Sequence, residues 1–204
     1  MQYIYKSKTM ENQQEPMSGE ESLKIITEMI NRTKANVRQG SFHLLLWGWM
    51  IFICSLGEYI LDKFTGMEKP WIIWMLVIPG VFVSFIYGYM KGKKSPFHTY
   101  ADMIYMWTWI GYFASMVSLF IIQSDRMDAL VPYVLILTAV PTFISGFIIR
   151  FRPLIFGAMF FWIFAIVANF AGPQISPLAL PAAMLTGYLI PGYMLKNKIN
   201  NGTV

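Results

Sequence analysis

The sequence predicts an all-α polytopic membrane helical bundle, and three observations predict it. Of 204 residues, 56% are apolar and only 13% are charged, against about a quarter charged in soluble domains. The apolar residues stand in six blocks of about twenty, the length a helix needs to cross a hydrocarbon core of about 30 Å. The runs are continuous, whereas membrane β-strands alternate polar and apolar residues. Lipid offers no partners to backbone N–H and C=O groups, so the blocks must be helices. A soluble enzyme is thereby excluded. So is a disulfide scaffold, because the single cysteine, Cys54, has no partner in the chain.

In chain order, residues 1–17 read as a disordered leader and 18–42 as an amphipathic cytoplasmic helix. The transmembrane domain is 43–195, with spans at 43–63, 71–90, 103–123, 129–149, 154–172 and 176–195, and 196–204 is a cytoplasmic tail. No connection between spans is long enough to hold a domain. The first span is too long for a signal-peptide core and is expected to stay in the mature protein.

Ser18 and Glu21 form a capping box that starts the amphipathic helix. Leu23, Ile26, Ile30, Thr33 and Val37 then recur at alternating spacings of three and four, so one helical face is apolar. Lys24, Glu28, Lys34 and Arg38 lie off that stripe, and Gly40 with Ser41 is expected to bend the chain into the first span. Two readings fit. The helix lies along the headgroups with its cations on lipid phosphates, or Leu23, Ile26, Ile30 and Val37 form a face that docks a partner protein or a second copy.

Orientation follows from the basic residues. With both termini inside, 13 of the 16 Lys and Arg side chains fall on the inner side and 3 on the outer, as the positive-inside rule requires. The net charge of +5 is spread over several inner segments without a nucleic-acid-binding motif. Membrane lipids are therefore the expected partners of these cations, and nucleic acid is not.

An ionisable side chain within a span is a functional candidate by default. Glu58 is that residue, about 7–8 Å below the outer interface at about 1.5 Å per residue. Gln123 and Asn169 occupy comparable outer levels in the third and fifth spans, and the three make a candidate outer-leaflet polar pocket for a cation or small polar solute. Alternatively, Glu58 leans toward water beside Asp62 while the amides cap helix ends. His43, His98 and Asp102 cluster at the inner ends, but without metal-ligand spacing. No catalytic residue, metal or cofactor is expected.

The odd spans carry tryptophans near their inner ends, as in Trp47 with Trp49 and Trp107 with Trp109, and the even spans carry proline followed by a small residue and an aromatic. A threefold repeated hairpin accounts for this pattern, as does the general enrichment of Trp, Gly and Pro in membrane helices. The sixth span, with Pro177, Pro181 and Pro191 around Gly187 and Gly192, is the best candidate for a broken helix, although proline kinks more often merely shape packing.

The stretch from Glu20 to Trp49, ESLKIITEMINRTKANVRQGSFHLLLWGW, resembles the opening of small bacterial multi-pass membrane proteins to which no function is assigned. The resemblance implies a bacterial inner-membrane location and about six spans, and it carries over no site residue. The expected function is that of a noncatalytic accessory or regulatory membrane protein, with a cytoplasmic or membrane protein partner and a homo-oligomer both open. The alternative is a small transporter or channel for a small solute or ion.

Overall fold

The computed structural model describes residues 19–92, 100–126, 129–172 and 175–201. The expected leader and Ser18 lie outside the described residues. Seven α-helices follow in order: α1 (Gly19–Ile60), α2 (Val77–Gly92), α3 (Tyr100–Ile122), α4 (Leu130–Ile148), α5 (Arg152–Phe170), α6 (Ser176–Met184) and α7 (Ile190–Asn200). Six helical stretches are long and apolar enough to span a membrane: Gly40–Thr65, Pro70–Met90, Met103–Ile122, Leu130–Ile148, Arg152–Phe170 and Ser176–Lys198. The fold is the all-α polytopic bundle that the apolar blocks predict.

One expectation is corrected. Gly40 and Ser41 do not interrupt the helix: α1 runs unbroken from Gly19 to Ile60, joining the amphipathic segment to the first span. Glycine inside a helix costs only about 1 kcal/mol relative to alanine, and here its missing Cβ is used for packing. A Cβ on Gly40 would sit 3.2 Å from Ile149 Cδ1 just beyond α4, and Ser41 next to it is buried.

The second span opens as a 3₁₀ helix, Pro70–Leu76, with Pro70 at its first position, where a missing N–H costs nothing. It packs on the far end of α1: Gly57 leaves room for Ile73, and the Cys54 thiol donates to the Ile73 carbonyl at 3.5 Å. A π-helical turn, Leu61–Thr65, ends the first span at Gly66, whose φ of 60° suits glycine.

The sixth span is interrupted where prolines accumulate. A π-helical segment, Leu185–Leu189, joins α6 to α7. Pro191 has no N–H to offer the Gly187 carbonyl four residues before it, so the regular ladder cannot continue there. Gly157 of α5 packs against that carbonyl. A Cβ on Gly157 would lie 2.6 Å from Gly187 O, so both glycines are required for the two backbones to approach.

The packing order follows. The first, fourth, fifth and sixth spans supply the core, built on Leu44, Leu135, Leu154, Phe161, Met184 and Leu195. The sixth span is the innermost, 61% buried, and the third contributes no buried residue. Neighbours in the chain pair as hairpins: α1 with the second span, α3 with α4, α5 with α6. The sixth span returns to α1 and α4 packs along α5, whereas α2 and α3 form no substantial contact with each other. The three hairpins are thus unequal in packing, and the bundle is open along one seam.

Candidate functional site

Glu58, Gln123 and Asn169, expected to share an outer-leaflet pocket, sit on separate elements. Glu58, half-buried on α1, accepts a 2.7 Å hydrogen bond from the Trp74 indole N–H of the second span. Gln123 follows the last residue of α3, half-buried, with its backbone N–H on the Leu119 carbonyl. Asn169 is exposed on α5. The main packing of α1 is with the second and sixth spans, of α3 with α4, and of α5 with α4 and the sixth span. No hydrogen bond joins the three among the described residues. The partner of Glu58 was missed in the sequence; the only available signal was that a tryptophan N–H taken out of water needs an acceptor.

On the apolar stripe of α1, Leu23 is exposed. Ile26, Ile30 and Val37 lie on the same helix, with side chains outside the described ones. His98 and the Asp102 side chain are likewise outside them.

A second polar set is buried at mid-bundle, and sequence reasoning missed it because hydroxyls at helix spacing read as ordinary packing. Thr138, Thr142 and Ser145 line one face of α4, all buried. Each returns its proton to the carbonyl four residues earlier, at 2.6–2.7 Å. A hydroxyl has one proton, so the contacts from other helices have a fixed direction. The Tyr112 hydroxyl of α3 lies 3.1 Å from Thr138 Oγ1, and the Tyr188 hydroxyl of the π segment lies 3.0 Å from Thr142 Oγ1; with the threonine protons on their own helix carbonyls, the tyrosines are the donors. Tyr188 also meets Phe161 edge to face at 5.1 Å. The interruption of the sixth span is therefore filled by side chains and tied to α4 and α5.

Two cavities flank this core. One, about 220 Å³, lies beside Pro141 between α3 and α4, lined by Thr108, Gly111 and Ser115. It is below the roughly 300–1,000 Å³ of small-molecule pockets. The other, about 660 Å³, falls within that range and is a groove formed by α1, α2 and α7. Its walls are aromatic and held in place. Phe42 and Tyr87 stack at 3.9 Å, and the Trp49 indole N–H donates to the Tyr193 hydroxyl at 3.1 Å. Lys196 and Asn200 stand at its mouth. Comparison with known protein families, with curated proteins and with solved structures finds no match to this chain, so its function rests on the geometry alone.

Proposed function

We propose that this chain is a noncatalytic accessory or regulatory protein of the bacterial cytoplasmic membrane, with both termini cytoplasmic, that engages a partner protein through the apolar stripe at the start of α1. The observation that supports this reading is the continuity of α1 from Gly19 through the first span. A segment that lies in the headgroup plane must turn away from the span it precedes. A helix that continues from the span instead carries its first 21 residues, Gly19 to Gln39, about 30 Å of helix at about 1.5 Å per residue, ahead of the apolar stretch. An apolar stripe on such an extension is the kind of helical face that docks in a partner's groove.

The test is site-specific photo-crosslinking from position 26 in native membranes, followed by purification. One defined polypeptide should be captured, and Ile26→Asp or Ile30→Asp should release it from the native complex. Lys24→Glu, off the stripe, should leave it bound. A homo-oligomer indifferent to all three substitutions contradicts the accessory reading. A solute flux in proteoliposomes that is lost in Glu58→Ala would establish transport in its place.

A further inference from the structure

We infer that the groove between α1, α2 and α7 is a binding site for one anionic phospholipid, its phosphate at Lys196 and Asn200 and an acyl chain along α1. The groove is amphipathic in the direction a lipid requires. Lys196 and Asn200 are four residues apart, so they share one face of α7 at its final turns, and both are exposed. An ammonium and an amide there supply up to five N–H donors to phosphate oxygens. Below them the lining turns apolar, through Leu45, Trp49 and Ile53 at four-residue spacing on α1. From Ser41 to Ile53 the lining covers 12 residue steps, about 18 Å at about 1.5 Å per residue. That is close to one leaflet of a core about 30 Å thick.

Three further features favour this occupant. The stacked Phe42–Tyr87 pair and the Trp49–Tyr193 hydrogen bond fix the walls before anything binds, which reduces the ordering cost of association. Lys198, in the last turn of α7 but on a different face from Lys196, adds positive charge where the helix dipole alone would repel an anion. Basic recesses between spanning helices are a favourable setting for anionic headgroups. An apolar peptide would leave Lys196 and Asn200 unused, and a zwitterionic lipid offers the lysine a headgroup with no net charge.

The experiment places the full chain in nanodiscs of phosphatidylcholine doped with phosphatidylglycerol and counts retained lipids by native mass spectrometry. One phosphatidylglycerol per chain should be retained in preference to phosphatidylcholine. Lys196→Glu should lower that retention about tenfold or more, since each basic group is worth roughly a factor of five. Ile53→Trp, which fills the apolar part without changing charge, should abolish it. Lys63→Glu, outside the groove, should leave it unchanged. Retention that shows no headgroup preference, or that survives either groove substitution, overturns the proposal.

Discussion

Arg150 holds a backbone conformation that its type disfavours. It sits between α4 and α5 with φ at 55°, the one non-glycine residue with positive φ among those described. The turn is a Schellman cap: the Phe151 N–H reaches Gly146 O at 2.9 Å and the Arg150 N–H reaches Phe147 O at 3.1 Å. Glycine is the usual residue at this position, and an L side chain there costs roughly 1–2 kcal/mol. What offsets the cost is charge. Arg150 is exposed beside a helix C-terminus, where a cation is favoured by about 0.3–1 kcal/mol. Arg150→Gly is therefore expected to stabilise the protein by about 0.5–1 kcal/mol in detergent, read from equilibrium unfolding. A loss of stability of the same size would mean that the side chain makes a contact this account lacks.

Among the elements, the π segment of the sixth span and α4 are joined by the Tyr188–Thr142 hydrogen bond, and the direction assigned to it from the Thr142–Thr138 contact predicts unequal costs. Tyr188→Phe removes a donor and leaves Thr142 satisfied through the Thr138 carbonyl; it should cost about 0.5–1 kcal/mol. Thr142→Val leaves the tyrosine proton stranded where neither water nor lipid accepts it, and should cost about 1–3 kcal/mol. Unfolding of the two variants side by side checks the order, and a cost of Tyr188→Phe equal to or above that of Thr142→Val would contradict the assigned direction. The six spans were legible in the sequence to within about three residues, because the length of an apolar run is a property of the chain alone. Pro191 and Gly187 made the sixth span the candidate for an interruption, because a proline removes a backbone hydrogen bond wherever it stands in a helix. The centrality of the sixth span and the exposure of the third could not be read. In lipid the outward face is as apolar as the inward one, so no stripe marks the core side.

For the whole molecule, four packed spans with two peripheral ones leave α2 and α3 with outward faces of large apolar side chains, such as Phe82, Phe85, Trp107 and Ile121. In water that surface would be an aggregation liability; against acyl chains it is the expected complement. The candidate site was legible in part. Glu58 stood out as the ionisable residue within a span, but its pairing with Trp74 depends on how two spans meet. The groove at Lys196 joins residues more than a hundred positions apart in the chain, so no local pattern announces it. The central claim is that six helices cross one bilayer with both chain ends on its cytoplasmic face. Single cysteines introduced as Glu20→Cys, Met67→Cys and Asn201→Cys in a Cys54→Ala background, probed in intact cells with a membrane-impermeant maleimide, test it most directly. Position 67 should label, and positions 20 and 201 should label only after the membrane is permeabilised. Labelling of just one of the two terminal positions in intact cells would contradict the six-span fold.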